Sequence, residues 1–373
     1  MPSSNIIDRR FAGDGDAPLT PLALSMGDPS GVGPEIVAKA WTARARHNLP
    51  PFFVVGQAAA LRAVWDGPIA PIADPTDAAR RFAEALPLFE IAGECPPPGI
   101  PDSRGAAAAF EALEVATGLV RAGSASALVT GPVSKACLYD VGFSYPGQTE
   151  FVAERCGIAR ENAVMMLAGP SLRVVPITTH LSLADAVRRL DTALIRDVAC
   201  IVAKGLKRNF GIPSPRLVLA GLNPHAGEAG AMGREEMDVM APAVASLRAL
   251  GIEITGPLPA DTLFHEDARA RYDAALCGYH DQALIPVKTL HFHDAVNITL
   301  GLPIVRTSPD HGTAFDIAGR GIARADSMIA AIRMAAEAVV HRRAAATARD
   351  EETGGGRRVA ARSTDLGAFP CRF

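Results

Sequence analysis

The sequence predicts an α/β protein whose sheet is largely parallel and whose chain forms two domains. Short apolar runs typical of strands alternate with patterns typical of helices, and this alternation favours a parallel sheet covered by helices. The chain has 373 residues, whereas single hydrophobic cores stop growing at roughly 250–300 residues. Hydrophobic residues make up 49% of the sequence, which is ordinary for a globular α/β protein.

The predicted elements cover residues 19 to 345. Apolar runs predict strands at Leu19–Ser25, Pro51–Gly56, Ala127–Thr130, Arg173–Thr178, Arg216–Leu222 and Ala274–Gly278. Helical patterns cover 34–43, Gly105–Arg121, Leu183–Leu190, Ile195–Asn209, Gly233–Leu250 and Met328–Ala345. A strand-like run extends from Asn297 to Arg306, and the proline-rich stretch 68–101 is assigned to loops and short strands. Residues 1–18 are predicted to be disordered and residues 349–373 to form a flexible tail.

Charge and composition exclude several classes of protein. The net charge is -3 with an isoelectric point of about 6.3 and no basic stripe, so nucleic acid is not expected as a principal partner. The N-terminus lacks the apolar stretch of a signal peptide, and no apolar run is long enough to span a membrane. The six cysteines show no CxxC spacing, which indicates reduced thiols and a cytoplasmic location.

Three histidines follow directly after predicted strands. His180, His225 and His280 occupy equivalent positions, and the carboxyl ends of parallel strands form the ligand crevice of open α/β sheets. Three imidazoles suit Zn²⁺ and could also serve Mn²⁺, Co²⁺ or Ni²⁺. Their separations are too long for a local zinc motif, so the alternative is three hydrogen-bonded loop residues. Their shared position favours a divalent metal site.

Two glycine-containing loops are ambiguous. No GxGxxG string is present, so the commonest dinucleotide-binding loop is missing. Gly27–Glu35 opens a predicted helix and could bind an anion at its free N–H groups or could simply be a tight turn. Ser308–Thr313 has the same two interpretations.

Several polar residues near strand ends could contact an anionic substrate. Gln148 and Thr149 could donate hydrogen bonds to it, although Thr149 could instead cap a helix. Lys288 follows the apolar run 283–287, where an ammonium group must either reach solvent or meet an anion. Arg306 ends a buried type of strand and could bind phosphate or carboxylate through two bonds. Asp281, together with Asp261, could orient the histidines or a metal-bound water.

Taken together, these segments resemble the 4-hydroxythreonine-4-phosphate dehydrogenase family of vitamin B6 biosynthesis. The resemblance spans about residues 19 to 345, and its last two motifs are highly specific. The matching motifs are MGDPSGVGPE (26–35), TGPVSK (130–135), GQTEF (147–151), TTHLSL (178–183), GLNPHAGE (221–228), PADTLF (259–264), YHDQ (279–282) and VNITLGLPIVRTSPDHGTAFDIAGRG (296–321).

The resemblance implies a two-domain fold similar to the isocitrate and isopropylmalate dehydrogenases, which also lack the GxGxxG loop. The first α/β domain would comprise residues 19–145 and 303–348. The second, 146–302, would carry the metal site and the interface of a homodimer with shared active sites.

The resemblance also implies residue roles. His180, His225 and His280, drawn from both subunits, would bind one divalent metal: Zn²⁺, or alternatively Mg²⁺, Mn²⁺ or Co²⁺. Asp281 and Lys288 are the candidates for proton transfer. The substrate would contact Gln148, Thr149, Lys288, Asn297 and Arg306. The cofactor, NAD or NADP, would lie near Ser308, Asp310, His311, Gly312 and Thr313. The family has His in a G-H-T-E pattern where this chain has Gln148, which can donate a hydrogen bond but cannot carry a charge.

The implied reaction is NAD(P)-dependent oxidation and decarboxylation of 4-phosphohydroxy-L-threonine. Related enzymes acting on 4-phospho-threonate, 4-phospho-erythronate or a cis-diol carboxylate are the alternative. A zinc hydrolase using the three histidines is disfavoured because no HExxH motif is present. A metabolite-binding relative without activity is a further alternative, because Gln148 replaces a titratable residue.

Overall fold

A computed structural model describes residues 19–353, which form two compact units. The first unit contains residues 19–170 and 290–339, and the second contains 171–289 and 340–353. The predicted disordered segment 1–18 and residues 354–373 of the predicted tail lie outside the described residues. This division places 146–170 and 290–302 in the first unit, whereas the predicted boundaries assigned them to the second domain.

The first unit is built on eight neighbouring strands in the order β3-β4-β2-β1-β5-β12-β11-β6. Their bounds are β1 Leu22–Ser25, β2 Phe52–Gly56, β3 Ile69–Pro71, β4 Leu86–Glu90, β5 Leu128–Thr130, β6 Val164–Ala168, β11 Val296–Leu300 and β12 Arg306–Pro309. Strand β11 runs antiparallel to both of its neighbours, β12 and β6. The other pairings in this unit are parallel.

The helices α1–α7 of the first unit connect these strands. Their bounds are α1 Gly33–Thr42, α2 Arg44–His47, α3 Ala58–Arg62, α4 Ala78–Arg81, α5 Ser103–Arg121, α6 Lys135–Tyr139 and α7 Gln148–Arg155. Pro34 lies in the first turn of α1, where its missing N–H group is not needed. The Asp102 side chain caps α5 by accepting from the Arg104 and Gly105 amides, which satisfies two free N–H groups of the helix end.

The second unit contains four parallel strands in the order β7-β10-β8-β9. These are β7 Arg173–Pro176, β8 Arg216–Ala220, β9 Glu253–Leu258 and β10 Ala274–Cys277. The remaining helices are α8 Leu183–Arg189, α9 Thr192–Phe210, α10 Ala241–Ala249, α11 Glu266–Arg269, α12 His280–His291 and α13 Asp326–Thr353. Helix α9 ends at Gly211 in the left-handed region, a common glycine terminator.

An aromatic cluster fixes helix α7 in the first unit. Phe143 and Phe151 are fully buried, and the ring of Phe110 meets both edge-on at 5.4 and 5.6 Å. Edge-to-face pairs of this kind add to the stability gained from burial. The cluster holds α7 at Phe151, three residues after Gln148, and thereby fixes the first turn that carries Gln148 and Thr149.

The predicted α/β class and the largely parallel sheet are confirmed. The prediction of one strand-like run from Asn297 to Arg306 is wrong, because the segment is a hairpin of β11 and β12. Gly301, at a φ of +86°, lies between the two strands in a conformation that favours glycine. None of the helices within residues 19–353 is both long and apolar enough to cross a membrane.

The described cysteines are mostly free. Cys95, Cys137, Cys156 and Cys277 are free thiols, as predicted. Cys200 is disulfide-bonded, which corrects the prediction that it is reduced.

Candidate active site

The structure brings the predicted residues together in two groups, one in each unit. The centre of the first group is Arg306, the first residue of β12, which is 3% exposed. Its Nη2 donates to Thr130 Oγ1 at 2.7 Å, and its Nη1 donates to Thr149 Oγ1 at 3.3 Å and to Thr299 Oγ1 at 3.2 Å. The three hydroxyls come from β5, α7 and β11, so the guanidinium group lies where these three elements meet.

Arg306 forms no ion pair with a carboxylate among the described residues. Its hydrogen-bonding partners there are neutral hydroxyls, and its Nε has no partner. Burial lowers the pKa of Arg306 to about 10, and the more distant Glu150 only partly opposes this effect. A buried cation without an anion is costly, so the arrangement is suited to receive one.

Two further buried polar atoms lack partners beside these strands. Gln148 donates through Nε2 to the Gly131 carbonyl at 3.2 Å, while its Oε1 is buried and unpaired. Asn297 Oδ1 is also buried and unpaired. Buried polar atoms are nearly always hydrogen-bonded in folded proteins, so exceptions of this kind mark positions where a ligand can bond.

Thr149 does not cap helix α7. Helix α7 begins at Gln148, its N-terminal flanking residue is Gly147, and no side chain caps it. The Thr149 hydroxyl instead accepts a hydrogen bond from Arg306.

The loop Gly27–Glu35 is a tight turn whose N–H groups are used within the protein. Asp28 N donates to Pro132 O, Gly31 N to Asp28 O and Val32 N to Thr313 O. The structure therefore favours the turn interpretation over an anion site at these amides. A Cβ atom on Gly31 would come within 2.8 Å of the Thr313 carbonyl, so glycine is required for this close approach.

The predicted cofactor residues lie in the first unit, at the end of β12 and in the loop that follows it. Ser308 and Thr313 are buried, whereas His311 is exposed. The Asp310 amide donates to Ser327 Oγ at 3.0 Å. The bond from Val32 to Thr313 joins this loop to the Gly27–Glu35 turn, so the two ambiguous loops of the sequence are in direct contact.

The second group contains two of the three predicted metal ligands. The rings of His180 and His280 are 5.8 Å apart between centroids. Imidazoles that bind one ion through nitrogens at about 2.0–2.1 Å have centroids roughly 5–6 Å apart, so this pair fits a shared cation. Among the residues that the structure describes, no group of three or more His, Cys, Asp or Glu side chains could hold a metal ion. Thus one chain does not bring His225 into such a group.

His225 lies in an unusual left-handed turn. Five successive residues, His225–Ala229, have φ between 43° and 77°. Non-glycine residues rarely adopt this region, and such strain concentrates at functional sites. The buried Glu236 carboxylate supports the turn by accepting from the Leu222 and Asn223 amides at 2.8 and 2.7 Å.

The remaining predicted residues lie on or near helix α12. Asp281 is exposed, and its Oδ1 lies 2.7 Å from His280 Nδ1, the contact that orients a metal-binding imidazole in many sites. Lys288 is half-buried on the same helix, so the apolar run before it is helical. Asp261 is exposed in the short helical turn Ala260–Thr262.

Sequence reasoning missed the residues that support both groups. These are Thr130, Thr299, Thr178, Glu236 and Gln282. Gln282 stands inside the YHDQ string, which was a usable signal. Thr130, Thr178 and Thr299 also stand inside matching motifs, but threonine is common in strands for reasons unrelated to any site, so its presence there did not indicate a supporting role.

Comparison with known proteins identifies the family. The family model described as pyridoxal phosphate biosynthetic protein PdxA matches residues 48–335, which is more than half of the chain. The chain belongs to the PdxA family. The resemblance inferred from the motifs is therefore confirmed.

PdxA relatives match over nearly their whole length. A 4-hydroxythreonine-4-phosphate dehydrogenase from Zymomonas mobilis is 57% identical over 327 residues, covering 87% of this chain and 98% of that protein. One from Erythrobacter litoralis is 54% identical over 330 residues, covering 87% and 98%. The crystal structure of the enzyme so named from Klebsiella pneumoniae matches with a TM-score of 0.78 and 38% identity, covering 86% of this chain and 99% of that one.

Proposed function

We propose that this protein oxidises and decarboxylates 4-phosphohydroxy-L-threonine with NAD(P), giving 3-amino-2-oxopropyl phosphate, CO2 and NAD(P)H for pyridoxal phosphate synthesis. Membership of the PdxA family supports an oxidoreductase of this pathway. The observation that carries the proposal is the buried Arg306, whose described partners are neutral hydroxyls. A phosphorylated substrate supplies the missing anion.

The proposed phosphate site follows from the donors around Arg306. A guanidinium group binds phosphate oxygens through two roughly parallel bonds, and the unpaired Nε of Arg306 is available for one of them. Thr149 and Gln148 stand at the first turn of α7, whose N-terminal end favours negative charge. Lys288 is proposed to provide a second positive charge that binds the substrate.

The unpaired oxygens select for donors on the substrate. Gln148 Oε1 and Asn297 Oδ1 accept no hydrogen bond within the described protein, and the substrate carries hydroxyl and ammonium groups that can donate. A ligand without such donors would leave these oxygens buried and unsatisfied, at a cost of about 1–3 kcal/mol each. The group thus fits a small molecule that carries both an anion and N–H or O–H donors.

The proposed metal ligands are His180, His225 and His280. The ring spacing of His180 and His280 fits a shared ion, and the contact between His280 Nδ1 and Asp281 leaves Nε2 of His280 as its metal-binding nitrogen. Because one chain does not assemble three ligands, the complete set would draw on both subunits of a dimer. A bound divalent cation lowers the pKa of the substrate alcohol and favours loss of hydride and of CO2.

Asp281 and Lys288 are the proposed groups for proton transfer. Asp281 is exposed beside His280, which supports the proposal that its carboxylate accepts a proton near the metal ligands. Lys288 lies two turns further along α12 and would hold the substrate anion or exchange a proton as an amine.

The cofactor is proposed to bind beside the joined loops of the first unit. Ser308, Asp310, His311, Gly312 and Thr313 would contact NAD or NADP. The enzyme is proposed to be a cytoplasmic homodimer, and the free thiols of the described cysteines other than Cys200 are compatible with a reducing compartment. Exposed apolar side chains that follow His180 and His280 along the chain support the dimer: Leu181 (46%), Leu183 (60%) and Ile285 (65%).

The direct test is formation of NADH or NADPH from 4-phosphohydroxy-L-threonine, followed by absorbance, with and without added divalent ion after chelation. The proposal requires turnover that is lost on chelation and restored by metal. Turnover without any nicotinamide cofactor would instead support a hydrolase, and absence of turnover would support a binding protein.

A second candidate keeps the chemistry and changes the substrate. The solved terephthalate 1,2-cis-dihydrodiol dehydrogenase from Burkholderia xenovorans matches with a TM-score of 0.59 and 29% identity. A panel containing 4-phospho-threonate, 4-phospho-erythronate and a cis-diol carboxylate separates the two. We expect kcat/KM to be higher for 4-phosphohydroxy-L-threonine than for the cis-diol carboxylate, because the latter has no phosphate to pair with Arg306.

A further inference from the structure

Three neighbouring strands of the second unit end at the loops that carry the histidines. Strand β10 lies between β7 and β8, with Cys277 opposite Pro176 and Leu276 opposite Leu219. Because all three strands are parallel, their carboxyl ends meet at one edge of the sheet. His180, His280 and His225 follow these ends along the chain.

The Thr178 side chain joins the first two loops. Its Oγ1 donates to the Gly278 carbonyl at 2.8 Å in a buried bond, and Thr178 is 4% exposed. The adjacent backbone adds a bond from Ile177 N to Cys277 O at 2.7 Å. Thr178 lies two residues before His180, and Gly278 lies two residues before His280, so the bond fixes these histidines' loops to each other.

The Gln282 carboxamide joins the second loop to the third. Its Oε1 accepts from the Gly278 amide at 2.7 Å, and its Nε2 donates to the Gly221 carbonyl at 2.7 Å. An amide N–H can only donate and a carbonyl can only accept, so these partners determine the orientation of the carboxamide. Gln282 is 9% exposed, and Gly221 begins the loop that leads to His225.

The histidines themselves have little packing to hold them. His180 and His225 are exposed, and both have a φ of +53°, in the left-handed region that needs support from surrounding structure. The buried bonds of Thr178 and Gln282 supply that support from beneath the loops. Neither side chain is among the proposed metal or substrate contacts.

We infer that Thr178 and Gln282 are positioning residues that fix the loops of His180, His280 and His225 within each chain, so that each histidine is held where it contributes to a divalent cation site. The inference rests on the proposed metal site. Partners that orient metal ligands from outside typically change metal affinity about 10–100-fold when they are removed. A change of that size is expected here, because loss of either bond frees one loop relative to the others.

The test is the Zn²⁺ affinity of the full-length protein, measured by competition with a chromophoric chelator. Thr178→Val keeps the side-chain volume and removes the hydroxyl, and it should weaken Zn²⁺ binding by roughly 10-fold or more. Thr178→Ser restores the hydroxyl and should return the affinity to within about twofold of the wild type. Gln282→Leu removes both of its bonds and should have the larger effect.

A matched control separates positioning from general stability. Thr117 in α5 is 1% exposed and donates to the Leu113 carbonyl at 2.6 Å, a bond as buried as that of Thr178. Thr117→Val should lower the thermal midpoint to a similar extent as Thr178→Val while leaving the Zn²⁺ affinity unchanged.

Each outcome has a distinct meaning. Wild-type affinity in Thr178→Val and in folded Gln282→Leu overturns the inference and leaves the proposed function standing. Equal loss of affinity in Thr117→Val also overturns it, because the effect is then one of stability. A wild-type protein that binds no Zn²⁺ overturns the proposed metal site together with the inference.

Discussion

Arg306 carries a positive charge into the interior of the first unit, where its described partners are hydroxyls. Its folded-state pKa, about 10, is below the ordinary value because of burial. A lowered pKa of a base means that the folded protein binds this proton less tightly than the unfolded chain does. The group therefore opposes folding below pH 10, and this cost diminishes as the pH rises through 10. A bound anion offsets the same cost at neutral pH.

Substitution of Arg306 should therefore act on substrate binding. Arg306→Ala should raise KM for the phosphorylated substrate roughly 10–100-fold, since a charge-assisted bond is worth about 1.5–3 kcal/mol. Arg306→Lys keeps the charge but not the planar fork, and should raise KM by roughly 10-fold. Steady-state kinetics check both. Arg155→Lys alters an arginine paired with Glu114 in the same unit and serves as the control; an unchanged KM in Arg306→Ala would contradict the assignment.

Gln148 allows a prediction about pH. Gln148→His introduces the residue of the family's G-H-T-E pattern, and an imidazole gains a positive charge as the pH falls between about 7.5 and 5.5. The variant's KM, divided by that of the wild type, should decrease as the pH is lowered through this range, because a charged imidazole attracts the substrate phosphate. The ratio cancels the titration of groups that both proteins share. A ratio that does not change with pH would show that position 148 does not meet the phosphate.

At the residue scale, the sequence predicted Arg306 and Gln148 but not what surrounds them. Arg306 stood out because it ends an apolar run, where a charge is unexpected. Thr130 and Thr299 did not, since each lies in a different strand and contacts Arg306 only after the sheet has formed. Such partners are set by strand order, which short-range patterns do not contain.

Among the elements, most strands but only six of the thirteen described helices were predicted from hydrophobic patterns; strands β6 and β9 were missed, and several of the errors have identifiable causes. The segment 297–306 appeared continuous because both arms of the hairpin are apolar and the turn at Gly301 is short. Helix α12 was not predicted, because the run 283–287 has no clear periodicity and the helix contains Pro286. The left-handed turn at His225 had no signal, because four of its five residues are not glycine.

Helix α1 clamps the loop that follows the proposed cofactor residues. Lys39 Nζ donates to Glu35 Oε1 at 2.7 Å, to Gly321 O at 2.8 Å and to Ala323 O at 2.7 Å. Glu35 is buried, and the same carboxylate oxygen accepts from the Ala323 amide at 2.9 Å. Together with the bond from Val32 to Thr313, the helix fixes both ends of the loop 313–323.

Loss of this clamp should weaken cofactor binding. Lys39→Met removes three bonds and should raise the Kd for NAD or NADP roughly tenfold, about 1.4 kcal/mol, because the loop must then be ordered on binding. The measurement is a titration of the cofactor without substrate. Arg80→Met breaks the exposed pair with Asp77 in the same unit and should change nothing. An equal Kd in Lys39→Met and the wild type would exclude this loop from the cofactor site.

For the whole molecule, the motifs predicted the family, and hydrophobic patterns with chain length predicted the α/β class and two units. The domain boundaries that the resemblance implied differ from the observed units at 146–170, 290–302 and 340–348. The physical reason for the first two differences is that β6 and β11 pair with each other, and β11 also pairs with β12. The arrangement of the three histidines is the least predictable feature, since the proposed set depends on an assembly that a single sequence does not encode locally.

Subunit mixing tests whether the histidines are shared between chains. His180 and His280 come together within one chain, so we expect that His225 completes the set from the partner subunit. His225→Ala and His280→Ala should each be inactive, because either loss leaves two ligands. After the two variants are unfolded and refolded together, a mixed dimer has one site with all three histidines. Random pairing then restores about a quarter of the wild-type sites.

The controls for mixing follow from the same arithmetic. Each variant refolded alone should stay inactive, and wild type carried through the same procedure sets the full value of metal-dependent NADH or NADPH formation. If all three ligands came from one chain, every mixed dimer would lack a ligand in both sites, and no activity would return. Recovery therefore requires His225 and His280 of one site to come from different subunits. We expect this arrangement because the rings of His180 and His280 are adjacent within one chain.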